Sequence, residues 1–155
     1  MWSREEAQEK RKEFWTSFGV YMRKHIPKSH PKARWLNYKT GVSDVYFRME
    51  VDHNGAKVCI DIQHRDEEIR ELFYEQFQEF RGLLQASLGD DLIWEKEYVL
   101  EETGKRVSRI YNHLQYKNIY RKEDWRELFG FLEPNLLGFD EFWADFRDVF
   151  IELSR

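Results

Sequence analysis

The run Asp44-Val45-Tyr46-Phe47-Arg48-Met49-Glu50-Val51-Asp52 and the run Lys57-Val58-Cys59-Ile60-Asp61-Ile62-Gln63-His64 flank His53-Asn54-Gly55-Ala56. Both runs alternate apolar and polar residues with a period of two, as a half-buried strand does. Asn-Gly is the favoured pair for a two-residue type I′ turn. With Asn54 and Gly55 as that turn, Val51 faces Val58, Met49 faces Ile60 and Phe47 faces Ile62, which makes one apolar face. The other face then sets Asp52 against Lys57, Glu50 against Cys59, Arg48 against Asp61 and Tyr46 against Gln63. Two of these are opposite-charge pairs, each worth roughly 0.2–1 kcal/mol. A hairpin with one apolar face needs a layer to cover it.

Outward from the hairpin, the covering layer is legible. Upstream, Ser3 and Glu6 form a capping box, and Phe14, Trp15, Phe18, Tyr21 and Met22 recur at helical spacing. That helix is predicted to end near His25, ahead of Pro27. A loop with Pro27 and Pro31 follows, then a short strand over Trp35–Lys39. Downstream, Asp66 caps a helix carrying Ile69, Leu72, Phe73, Phe77, Phe80, Leu83, Leu84 and Leu88, and Gly89 stops it. A second hairpin runs from Leu92 to Leu100 and from Arg106 to Leu114, turning at Glu102-Thr103-Gly104. Two helices close the chain, Lys122–Leu132 and one starting near Pro134, with Leu136, Phe139, Trp143, Phe146, Phe150 and Leu153 along one seam. The order is α-β-β-β-α-β-β-α-α. It reads as an α+β fold, a largely antiparallel sheet of about five strands with helices packed on it, in a single domain spanning residues 1–155.

The chain has 155 residues, enough for one ordinary core. At 41% hydrophobic and 17% aromatic it is too apolar to be disordered. No apolar run approaches the ~18–20 residues of a membrane helix, and the charged start, Trp2-Ser3-Arg4-Glu5-Glu6, does not read as a signal peptide. A lone cysteine, Cys59, fits a reducing cytoplasm. The 12 Phe, 8 Tyr and 6 Trp divide in this reading into a Phe-built core and a Trp/Tyr-bearing surface.

A formal net charge of −4 argues against a general nucleic-acid binder, but the charges are unevenly spread. No acid occurs from Thr16 to Ser43, nor from Thr103 to Lys122. The first stretch supplies Arg23, Lys24, Lys28, Lys32 and Arg34 beside Trp35 and Tyr38, and the second supplies Arg109. Cations beside aromatic faces suit single-stranded nucleic acid, in which phosphates pair and bases stack. These eight residues are the candidate binding set, for nucleic acid or an anionic protein partner. Arg109 has a second candidate role, pairing with Glu95 or Glu97 across the second hairpin.

No catalytic set is assigned by this reading. Its alternative is a divergent nuclease in which Glu50, Asp61 and Gln63 hold Mg²⁺ on the first hairpin, because paired carboxylates on adjacent strands are the donors such an ion takes. Gln63 stands where such sites place a lysine. The histidines His25, His30, His53, His64 and His113 lack a metal-ligand spacing, Cys59 has no partner motif, and Gly104-Lys105 lacks the glycines of a phosphate loop. A further alternative is a homodimer joined through the aromatic C-terminal seam.

The stretches Lys12-Glu13-Phe14-Trp15-Thr16, Trp35-Leu36-Asn37-Tyr38-Lys39-Thr40-Gly41, Ile69-Arg70-Glu71-Leu72-Phe73, Trp94-Glu95-Lys96, Ser108-Arg109-Ile110 and Asp140-Glu141-Phe142-Trp143 resemble the bacterial domain-of-unknown-function family 4268 over nearly the whole chain. Longer members carry a segment suggestive of a restriction-nuclease-like domain ahead of the shared part, and this chain is expected to be the compact form without it. The resemblance implies a neighbourhood of nucleic-acid processing or defence. It transfers no catalytic residue.

Overall fold

The two hairpins assemble into one antiparallel sheet, seen in a computed structural model that describes residues 2–30 and 32–155. The strands are β1 (Val45–Val51), β2 (Gly55–Ile62), β3 (Ile93–Val99) and β4 (Arg106–Gln115), in the spatial order β1-β2-β4-β3. Helix α1 spans Arg4–Met22, α2 Glu67–Glu79, α3 Arg81–Leu88 and α4 Trp125–Leu153, with a 3-10 turn over Lys122–Asp124 before α4. One face of the sheet carries Val45, Phe47, Val58, Ile60, Ile62 and Ile110, all buried, and there Phe47 stacks on Phe139 of α4 with ring centroids 3.8 Å apart. The capping box at Ser3 and Glu6 is formed, and α1 buries Phe14, Phe18 and Met22 at a spacing of four.

The first hairpin forms with a different register. Val51 pairs with Ala56, Met49 with Val58, Phe47 with Ile60 and Val45 with Ile62. On the other face Glu50 pairs with Lys57, Arg48 with Cys59 and Tyr46 with Asp61. The pairing has slipped by two residues, an even number, so every side chain keeps its predicted face. The cause lies at the turn. The Asp52 carboxylate accepts hydrogen bonds from the N–H groups of Asn54 (2.8 Å) and Gly55 (3.0 Å), which centres the turn on His53 and Asn54. Gly55 is not in the left-handed region. It serves a close approach instead: a Cβ there would lie 2.0 Å from the Leu114 carbonyl oxygen on β4.

Three other expectations are corrected. Residues 35–39 form a loop, so the sheet has four strands rather than about five. Side chains hold this loop in place of a ladder: Trp35 Nε1 donates to the His25 carbonyl, Thr40 Oγ1 to the Val45 carbonyl, and Trp143 Nε1 to the Thr40 carbonyl. The helix after Asp66 breaks at Phe80 (φ −92°, ψ 13°), and α3 turns to pack on α4. There Gly138 lets the chains touch, since a Cβ would meet the Ser87 carbonyl oxygen at 2.2 Å. The C-terminal segment is one helix of 29 residues with Pro134 inside it. Pro134 and Gly130, whose carbonyl loses its partner, both face solvent, while Leu128, Leu132, Leu136, Phe139, Trp143 and Phe150 bury a continuous stripe. Most of the seam thus lies in the chain's own core, with Phe146 and Leu153 partly buried at its edge. The loop expected at Pro31 falls on a residue outside those described.

Candidate functional site: a cationic loop and the uncovered sheet face

Residues 23–30 and 32–41 connect α1 to β1 and bond to the middle of α4, at Glu133, Asp140 and Trp143. Their anchor is Asp140 on α4, which is 2% exposed. The Asp140 carboxylate accepts from the N–H groups of Lys28 (2.5 Å) and Ser29 (3.2 Å), from Ser29 Oγ (2.6 Å) and from the Tyr38 hydroxyl (2.7 Å). The Ser29 and Tyr38 hydroxyls are also bonded to each other. Burial, opposed by the bond from Ser29 and supported by the neighbouring carboxylate, pushes the Tyr38 phenol well above its ordinary range. A second clasp lies at the α1 end: Glu133 accepts from the Tyr21 hydroxyl (2.7 Å), lies 2.7 Å from His25 Nε2, and pairs with Lys24 at 3.3 Å. Burial works against the Glu133 carboxylate, yet bonds from His25, Tyr21 and Lys24 outweigh it and hold its pKa below the ordinary carboxylate value.

These clasps decide which of the predicted binding residues face outward. Arg23, Lys24, Lys28, Lys32 and Arg34 are exposed, as is Lys39. Lys24 is committed to Glu133, whereas Arg23, Lys28, Lys32, Arg34 and Lys39 have no carboxylate within 4.0 Å among the described residues. Trp35 and Tyr38 are corrected: both rings are buried, stacked on each other at 6.2 Å, and offer no face to a base. Trp125 and Trp143 are buried too, each with its indole N–H bonded to a backbone carbonyl, so the division into a Phe core and a Trp/Tyr surface does not hold.

The remaining candidate, Arg109, lies beneath the sheet face that no helix covers. It is 1% exposed and opposite Asp61 in the ladder. Its Nε and Nη2 donate to the two Asp61 oxygens at 2.7 and 2.8 Å, and Nη1 and Nη2 donate to the two Glu50 oxygens at 3.1 Å each. The Tyr98 ring lies over the guanidinium at 4.4 Å. Arg109 is thus the hub of a buried ion cluster. It does not reach an external anion, nor does it pair with Glu95, its ladder neighbour on β3. Burial raises the pKa of the Asp61 carboxyl, with Arg109 as the chief restraint. Burial raises that of the Cys59 thiol beside it well out of the reactive range.

The same cluster occupies the donor atoms that the Mg²⁺ reading of Glu50, Asp61 and Gln63 relies on. All four carboxylate oxygens already take guanidinium hydrogen bonds, and Gln63 Oε1 accepts from Lys105 Nζ at 3.3 Å. A cation there would have to displace a buried arginine. No cluster of three or more His, Cys, Asp or Glu that could hold a metal ion occurs among the described residues.

Loop and sheet face meet in a cleft of about 1200 Å³ along β1, lined by residues 35–50 on one side and by Gln63, Leu100 and Lys105 on the other. The two acid-free stretches therefore share this cleft through Lys39 and Lys105. Lys117, Arg121 and Lys122 lie apart from it, paired with Glu127, Glu123 and Glu13. The most exposed aromatic group of the cleft is Tyr46, 38% exposed, with the Arg48 guanidinium 4.6 Å from its ring centroid.

The family described as Domain of unknown function (DUF4268) matches residues 10–147. The chain belongs to it. No curated protein and no solved structure matches the chain significantly. Membership in DUF4268 spans every element from α1 to most of α4, so the loop, the Arg109 cluster and the cleft all lie within the family's extent. Among the described residues, no helix of this DUF4268 chain is long and apolar enough to cross a membrane. Sequence reasoning passed over Asp140 and Glu133. Asp140 had a legible signal, an acid set between Phe139 and Trp143 on an apolar stripe.

Proposed function

We propose that this chain is a non-catalytic binding module that takes single-stranded nucleic acid along the cationic loop ahead of β1 and the Tyr46–Arg48 part of the uncovered sheet face. The observation that carries the reading is the set of Arg23, Lys28, Lys32, Arg34 and Lys39, exposed and without ion-pair partners among the described residues on a loop tied down from inside. Of the other twenty Lys and Arg residues, ten are in ion pairs. A fixed loop presents these charges without the ordering cost a mobile one would bring. Tyr46 with Arg48 supplies the stacking face that Trp35 and Tyr38 do not.

Fluorescence anisotropy with single- and double-stranded oligonucleotides at two salt concentrations tests the reading. Binding is expected to weaken with salt. The variant Lys28→Glu/Lys32→Glu/Arg34→Glu is expected to reduce the logarithmic salt slope by about 0.7 per lost phosphate contact. No salt-sensitive binding at micromolar protein, or binding untouched by the triple variant, would overturn it.

A further inference from the structure

We infer that the free edge of β1 is a self-complementary pairing site, and that two copies of this chain join there antiparallel, about a two-fold axis at Met49, into one eight-stranded sheet.

The main-chain polarity of β1 is set by two bonds: the Asp52 N–H donates to the Gly55 carbonyl, and the Gln63 N–H to the Asp44 carbonyl. Even-numbered residues of β1 therefore turn their N–H and C=O groups toward β2. Odd-numbered ones turn theirs to the sheet edge. At that edge Val45 is already closed by the chain itself, its N–H on the Val42 carbonyl and its carbonyl accepting from Thr40 Oγ1. Phe47, Met49 and Val51 have no hydrogen-bond partner for these groups among the described residues. β1 carries no proline and no bulge, the usual devices that protect an edge. The cleft runs along this strand, lined by Val45 through Glu50, so a further strand has room to enter.

The occupant follows from the order of residues on the strand. An antiparallel pair centred on Met49 sets Met49 against its own copy and Phe47 against Val51. Every pair in this set matches an outward residue with an outward residue, which is what the ladder requires. The same register sets Arg48 against Glu50 of the other copy, twice, on the uncovered face. Opposite charges directly across an antiparallel pair are favourable. Both side chains are accessible, at 47% and 40%. An axis centred on Phe47 or Val51 would leave Arg48 facing Tyr46 or Asn54, and it would match fewer free edge residues. Trp15 and Leu36, on the helix side of the same cleft, give the incoming strand an apolar wall.

Light scattering across a concentration series and amide hydrogen exchange on the unaltered protein test this together. The expected result is a mass rising to twice the 19.1 kDa of one chain. Exchange protection at Phe47, Met49 and Val51 should rise with concentration in parallel. The variant Arg48→Glu, which sets two acids against each other across the axis, is expected to return the mass to that of one chain while its circular dichroism spectrum stays native. A mass that stays at one chain up to millimolar protein, or a dimer whose β1 amides exchange as in the monomer, would overturn the inference. The exchange measurement decides the matter even if Arg48→Glu does not fold.

Discussion

Replacing Arg109 by Met removes the guanidinium from the centre of the ion cluster and keeps much of its volume. Asp61, 0% exposed, then keeps only Arg48, whose Nε lies 3.9 Å away. Glu50, with a side chain 40% exposed, regains water and adds little to the loss. Breaking a buried pair from one side costs about 3–5 kcal/mol, because an uncompensated charge stays behind. The pH dependence carries a definite sign. The Asp61 carboxyl already lies above its ordinary value through burial. The stability from this group is therefore complete below its unfolded value and declines as pH rises through the folded one. Without Arg109 the folded value moves further up. The gap between variant and parent should therefore be small near about pH 4, the unfolded value. It should widen by about 1.4 kcal/mol per pH unit once pH passes the parent's folded value. Urea unfolding at acid, neutral and mildly alkaline pH measures this. The double variant Arg109→Met/Asp61→Leu is expected to recover most of the loss, since a buried pair replaced as a unit leaves no stranded charge. A cost below about 1 kcal/mol, a gap constant with pH, or a double variant no better than the single would refute the assignment of Arg109 as a structural hub.

Four further outcomes follow from the same geometry. Asp140→Ala should cost about 2–4 kcal/mol and raise hydrogen exchange at Lys28 and Ser29, because four donors lose one buried acceptor; unchanged exchange there would show that the loop is held otherwise. Glu133→Gln should cost about 1–2 kcal/mol at neutral pH. Because the folded pKa of Glu133 is depressed, that difference should fade as pH drops through it, and thermal melts at pH values from neutral to acid would show this. Gly138→Ala should destabilise by about 1–3 kcal/mol or more by forcing α3 from α4, read by denaturant unfolding. Cys59 should resist thiol reagents in the native protein and react at the rate of unfolding, measured by thiol labelling with and without urea.

The hairpin illustrates how far local pattern reaches. Alternation from Asp44 to His64 identified both strands and both faces, and an even slip could not disturb that assignment. The register itself was not local. Asn54-Gly55 signals a turn, but Gly55 is drawn to the Leu114 carbonyl on β4, and the Asp52 carboxylate takes the turn instead. Pro134 misled for a related reason. A proline interrupts one hydrogen bond wherever it stands, yet whether the helix continues depends on burial either side of it, and Leu132 and Leu136 are both in the core.

Charge and aromatic content show the same boundary at the site. The acid-free stretch from Thr16 to Ser43 was plain in the sequence, and its lysines and arginines do face outward. Trp35 and Tyr38 do not, because an indole N–H and a phenol can be buried once they find acceptors, here the His25 carbonyl and Asp140. Arg109 looked like a surface cation until β2 and β4 set it directly opposite Asp61, 48 residues away in the chain. The amino-acid order by itself determined the four hairpin strands, the capped starts of α1 and α2, the faces and the distribution of charge, since each depends on neighbours within a few residues. Register, the merging of two helices into α4, and the fate of each polar side chain were decided only by the tertiary structure. A buried donor or acceptor takes whatever partner the packing brings within about 3 Å, and no local pattern names that partner.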